Sequence, residues 1–120
     1  MSVTEPGRFS RDWPPLPTSP EVIEFLTIRL PPGARTAYLE RNAGVWTPFL
    51  ERQDGFVGKE TWLPADDPDS VVFVIRWRSR ASWKQITPEM CAAVDALMGE
   101  SAPRSVDCVE YSSLCFDPTG

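Results

Sequence analysis

Histidine is absent from this chain of 120 residues. That removes the commonest general base, the usual haem ligand and most zinc sites at once. Cysteine is scarce: Cys91, Cys108 and Cys115 form an odd set with no CxxC pair. Neither a disulfide framework nor a cysteine-only metal site is expected, and the thiols read as reduced in a cytoplasmic protein. No cofactor or metal is therefore expected. Basic residues are few, 12 Lys and Arg against 17 Asp and Glu for a net charge of -5, and they are nowhere clustered. Nucleic-acid binding, which needs a basic footprint, is not expected. The same scarcity argues against an anionic membrane surface. The longest apolar run, Val71 to Ile75, is far too short to span a bilayer. Glu5, Arg8 and Arg11 near the N-terminus flank no apolar segment, so no secretory signal is expected.

Proline is plentiful in residues 1–20, with Pro6, Pro14, Pro15, Pro17 and Pro20. Proline fixes φ and has no N–H to donate, so this stretch reads as an extended arm carrying Trp13. From residue 21 the patterning becomes regular. Val22–Arg29 is rich in β-branched and aromatic residues and reads as a strand ended by Pro31-Pro32-Gly33. A helix is expected from about Ala34 to Gln53, with Tyr38, Leu39, Val45, Trp46, Phe49 and Leu50 on its apolar face and Asn42 among them. Pro48 removes the bond to the Gly44 carbonyl and is expected to kink it. Gly55 closes the helix; Phe56–Leu63 and Val71–Arg78 then read as two strands of a hairpin across the acidic turn Asp66, Asp67 and Asp69. That turn lacks calcium-loop spacing and reads as solvated. Ser79 is a candidate N-cap for a short helix, and Thr87-Pro88-Glu89 restarts it. Met90, Val94, Leu97 and Met98 share a face up to Gly99, and a last strand spans about Ser105 to Phe116.

The order β-α-β-β-α-β with right-handed crossovers implies an α+β, ferredoxin-like domain over residues 21–116, followed by a short tail at 117–120. Its antiparallel sheet has strand order 4-1-3-2 and both helices on one face. Strands one and three are apolar at odd and even positions alike, which implies burial on both sides. A second subunit packed sheet to sheet supplies the missing layer, so a homodimer is expected.

The segments VIEFLTIRLPPG, WTPFLERQDGFVGKETW and VVFVIRWRSRASWK resemble the dimeric α/β-barrel superfamily, in particular antibiotic-biosynthesis monooxygenase-type domains. The joins QDGFVGKETW and RWRSRASW carry the likeness most specifically. It is closer still to short bacterial members with no assigned activity. It covers about residues 21–100 and none of the first 20. The resemblance implies a pocket between the helices and the concave sheet face, and oxidation of a polycyclic aromatic or polyketide-like molecule without metal or flavin. Candidate liners are then Glu24, Tyr38, Asn42, Trp46, Glu60, Trp62, Arg76, Trp77 and Trp83.

Glu24 and Arg76 are charges on otherwise apolar central strands. Strands one and three are neighbours in the expected order, so the two are expected to pair, either as a structural ion pair or as a carboxylate base beside an anion clamp. With Asn42 they are the candidate catalytic set. Tyr38, Trp46, Glu60, Trp62, Trp77 and Trp83 are candidate substrate-binding residues. Lys59 and Glu60, being adjacent, face opposite ways, and Glu60 is expected to share a face with Phe56 and Trp62. Trp77 falls where haem-degrading members of the superfamily have a tryptophan before Glu-Ser, but here Arg78-Ser79 follows. Thr87 replaces their later histidine, and the first strand has no asparagine, so haem degradation is not expected. Two further readings stay open: a non-catalytic ligand-binding or structural dimer, and a biosynthetic cyclase using a carboxylate or tyrosine base.

Overall fold

The computed structural model describes residues 21–113. The Pro-rich arm with Trp13, the tail at 117–120, Cys115 and the expected end of the last strand lie outside the described residues. Four strands form one antiparallel sheet: β1 (Glu21–Arg29), β2 (Phe56–Trp62), β3 (Ser70–Trp77) and β4 (Ser105–Ser113). Their order across the sheet is β2-β3-β1-β4, the arrangement expected from the sequence. Three helices accompany them: α1 (Arg35–Glu51), α2 (Arg80–Lys84) and α3 (Pro88–Leu97). No helix among the described residues is long and apolar enough to cross a membrane.

Local signals set the boundaries. The Ser79 side chain accepts the Ser82 N–H at the start of α2, and Thr87 accepts the Met90 N–H at the start of α3. Each hydroxyl satisfies one of the backbone donors that a helix start leaves unpaired. Pro48 lies within α1, which continues past it to Glu51. Gly55 has φ +83°, and a Cβ there would collide with the Ser82 side chain. The tight join from α1 to β2 thus packs directly beneath α2, and the Gly55 carbonyl takes the Arg78 N–H at 2.7 Å. The acidic turn is structural rather than only solvated. Asp67 accepts bonds from the Asp69 N–H and the Ser70 hydroxyl, which hold its carboxyl below the usual range, and Asp69 receives the Gly33 N–H at 3.1 Å.

The core fills the space between the sheet and the helices. Val22, Ile28, Val71, Phe73, Ile75 and Trp77 from the central strands meet Tyr38, Leu50 and Met98 from the helical layer, with Trp77 and Val71 wholly buried. Trp77 packs edge-on to Phe56, ring centroids 5.8 Å apart.

Register decides what faces this layer. Glu24 lies opposite Ile75, and Ile23 lies opposite Arg76. Directly opposed residues share a face and adjacent residues do not. Glu24 and Arg76 therefore project from opposite faces, which overturns the expected pairing. A second departure comes from β2, where the register with β3 shifts between Phe56 and Gly58. One extra residue in a bulged strand reverses the alternation. Phe56 consequently joins Trp77 on the helix side, while Glu60 and Trp62 lie on the other, so Glu60 and Phe56 do not share a face.

Candidate functional site

On the helix side of the sheet is a cavity of about 490 Å³. Glu24, Leu26 and Ile28 of β1 line its floor with Phe73 and Ile75 of β3; Tyr38, Asn42 and Trp46 of α1 form a wall. Trp83, Cys91 and Asp95 close the other side. These positions follow from helical and strand periods. Residues 38, 42 and 46 lie one turn apart along α1, and residues 24, 26 and 28 are alternate positions of β1. Trp46 donates from Nε1 to Asp95 Oδ1 at 3.2 Å, joining α1 to α3 across the cavity.

Glu24 is the carboxylate that the sheet itself presents to this space. Its Oε1 accepts the indole N–H of Trp77 at 3.1 Å. Burial raises the Glu24 pKa above its ordinary 4.5, against the pull of that bond and of Lys84 and Lys59. Burial likewise raises the Tyr38 hydroxyl, while a hydrogen bond from Asn42 works in the other direction. Asn42 is itself buried, only 5% exposed. A poised carboxyl, a phenol, a buried amide and aromatic walls together suit proton abstraction from an apolar ligand and positioning of its oxygen.

Lys59 completes the set, and the sequence patterning gave it no role. Its Nζ hydrogen-bonds Asn42 Oδ1 and Thr47 Oγ1, the latter at 2.8 Å, and lies 4.4 Å from the Phe73 ring centroid. Burial lowers its pKa from 10.5 to about 8. Lys59 lies opposite Ile75, as Glu24 does on the other side. The three residues form one row across the sheet, with the carboxylate and the amine two strand spacings apart, about 10 Å at the backbone.

Of the sequence candidates, Glu24, Asn42, Tyr38, Trp46 and Trp83 thus border one cavity. Trp77 is buried below it and touches Glu24. Arg76, Glu60 and Trp62 lie on the far face. There Arg76 is held by Glu60 at 3.3 Å and by Glu21 at 3.8 Å, and Trp62 donates to Glu60 at 3.0 Å. A one-residue register choice separates these two groups; Gly58 within the strand, a frequent mark of a bulge, and the Lys-Glu adjacency at 59–60 are its signals in the sequence.

Known proteins share this fold. The sequence profile described as "Antibiotic biosynthesis monooxygenase" matches residues 22–88, more than half of the chain. The chain belongs to the antibiotic biosynthesis monooxygenase family. No curated protein matches it. Among solved structures, this family member is similar to a mutant form of SnoaB, a cofactor-independent oxygenase from Streptomyces nogalater. The TM-score is 0.63 at 17% identity, covering 78% of this chain and 92% of that one. A Bacillus cereus protein assigned by name to antibiotic biosynthesis monooxygenases aligns with TM-score 0.60 at 26% identity, covering 78% and 93%. Protein SO0527 from Shewanella oneidensis aligns with TM-score 0.64 at 17% identity, covering 83% and 96%. At the identities of the first and third of these, the likeness is one of fold.

Proposed function

We propose that this protein is a cofactor-independent monooxygenase acting on an aromatic or polyketide-like small molecule in the helix-side cavity. The observation that carries the reading is that cavity, with Glu24, Tyr38, Asn42 and Trp46 converging on it in a chain of this family. An electron-rich aromatic ring system supplies the electrons itself. A reactive CH2 group and O2 give C=O and water, with no external reductant. Glu24 is the base that removes a proton from the CH2 carbon, its carboxyl raised by burial and oriented by Trp77. Asn42 holds the developing oxygen charge, and Trp46 and Trp83 enclose the ring. Arg76, Glu60 and Trp62 have no part in this cavity.

Their face serves the second copy of the chain. Phe25 packs edge-on between Trp62 and Tyr111, at centroid distances of 6.0 and 5.7 Å. Trp62, Val109 and Tyr111 are each about half exposed there. An aromatic cluster of this size on a sheet face fits burial against a symmetry-related partner. The free thiols of Cys91 and Cys108 fit a reducing compartment, the cytoplasm.

The test is oxygen uptake with a panel of polycyclic phenols, without added flavin or metal. Uptake is expected in the wild type, with losses of roughly a hundredfold or more in Glu24→Gln and Asn42→Ala. Binding without uptake across the panel would favour a non-catalytic ligand-binding protein. Light scattering should give a dimer, reduced to monomer by Tyr111→Glu.

A further inference from the structure

Lys59 stands where two cavities meet. A second space of about 540 Å³ lies between α1 and β2, lined by Leu39, Thr47, Glu51 and Phe56 among others. Lys59, Asn42 and Phe73 border both spaces. Lys59 is also the one cation among the residues lining the first cavity, which otherwise carries the acids Glu24 and Asp95.

The bonding of the amine is incomplete in an informative way. Asn42 Oδ1 and Thr47 Oγ1 are its two hydrogen-bond acceptors. Among the described residues no carboxylate forms a salt bridge with it; Glu51 on α1 and Glu24 on β1 are the charges that act on it from the elements packed around it. An ammonium has three N–H donors. Two are taken by oxygen acceptors; the third has only the Phe73 ring face beside it, with Nζ 4.4 Å from the centroid, and no oxygen acceptor until a ligand enters the cavity. In the neutral amine the two N–H groups keep the same acceptors, and a lone pair takes the third position. One site thus offers either a proton acceptor or a cationic donor, without moving its other two bonds.

We propose that Lys59 is an ionising subsite for an acidic aromatic hydroxyl, a phenol or an enol. The ligand's O–H bond breaks, an N–H bond forms on Lys59, and the oxyanion remains paired with the new ammonium. No other reactant is consumed. A ligand that arrives as a full carboxylate meets two acidic side chains against one cation. A hydroxyl enters neutral and acquires its charge at the amine, so a hydroxyl is the class the cavity selects. The shift of the amine towards neutral pH makes it competent in both forms. This inference rests on the cavity being a small-molecule site, and not on any oxygenation.

The probe is 4-nitrophenol, whose colour reports its own ionisation. In wild-type protein the bound dye should ionise about one pH unit below the free dye, a roughly tenfold preference for the anion. Lys59→Met should abolish the shift, and Thr47→Val, which removes one orienting acceptor, should diminish it. The methyl ether 4-nitroanisole should bind roughly tenfold more weakly than the phenol to wild type and equally to Lys59→Met. Circular dichroism of each variant verifies folding, and Thr47→Val carries the test if Lys59→Met does not fold. A bound dye that titrates identically in wild type and in the folded variants would overturn the proposal, as would failure of millimolar dye to bind. Oxygen uptake is scored separately: a shifted dye without uptake removes the oxygenase reading alone, and uptake without a shifted dye removes this one alone.

Discussion

Replacing Trp77 with phenylalanine isolates the link between the core and the candidate base. Trp77 is fully buried and gives its only side-chain hydrogen-bond donor, the indole N–H, to Glu24 at 3.1 Å. Loss of a bond to a charged partner costs about 1.5–3 kcal/mol, and the missing part of the indole leaves a void worth about 1–2 kcal/mol more. Destabilisation of about 2.5–5 kcal/mol is therefore expected near pH 7. The value should depend on pH. The folded Glu24 carboxyl titrates above its ordinary value because of burial, and the Trp77 bond restrains that rise. An acid whose folded pKa is raised binds more protons folded than unfolded. Its stability term is favourable at low pH and is lost as pH rises through the window above 4.5. Without Trp77 the window widens, so the variant loses more at neutral pH than in acid. At about pH 4, where the carboxyl is protonated and the bond is neutral, the cost should fall by about 1 kcal/mol or more. Urea denaturation followed by circular dichroism at the two pH values measures both numbers. Equal costs at both, or a cost below about 1 kcal/mol at pH 7, would refute the reasoning.

Lys59 has the opposite sign. Its folded pKa is lowered from 10.5 to about 8, so the unfolded chain binds the extra proton between those values and stability from this group should rise with pH across that interval. Comparison of wild type with Lys59→Met by denaturation between pH 8 and 10 should show the slope only in wild type. Gly55→Ala should destabilise by roughly 3 kcal/mol, since φ is +83° and the new Cβ meets the Ser82 side chain; a thermal melt unchanged within a degree would contradict this. Thr87→Ala removes the side-chain cap on the Met90 N–H and should cost about 1 kcal/mol, with faster amide exchange confined to the start of α3.

The fold was legible because its signals are local and redundant. Pro32 and Gly33 end β1, Gly55 turns α1 into β2, and Ser79 and Thr87 start the last two helices. Alternation within β3 placed Phe73, Ile75 and Trp77 together correctly. Along α1, Tyr38, Asn42 and Trp46 were legible as one face, and the structure lines one cavity with them. What failed depended on register between strands, which no local pattern encodes. Two charges on neighbouring strands invited the pairing of Glu24 with Arg76. The pairing of Glu24 with Ile75 puts them on opposite sides. The irregularity between Phe56 and Gly58 had one local signal, Gly58 itself, since a glycine within a strand often marks a bulge, but it does not say which way the register moves. That irregularity hid Lys59, whose inward direction depends on it.

The bulge in β2 therefore fixes the electrical sign of the cavity by counting residues. With it, an amine points towards the helices, while the carboxylate and indole that follow point away. Were the bulge lost with no change in length, Gly58 would move opposite Ile75 and the rows beyond it would exchange, delivering Glu60 to the chamber and Lys59 to the aromatic face; deletion of Val57 would remove the bulge and leave Lys59 opposite Ile75. A slip of one residue between β2 and β3 would thus alter the charge of the chamber and of the opposite face together, with no substitution at either surface.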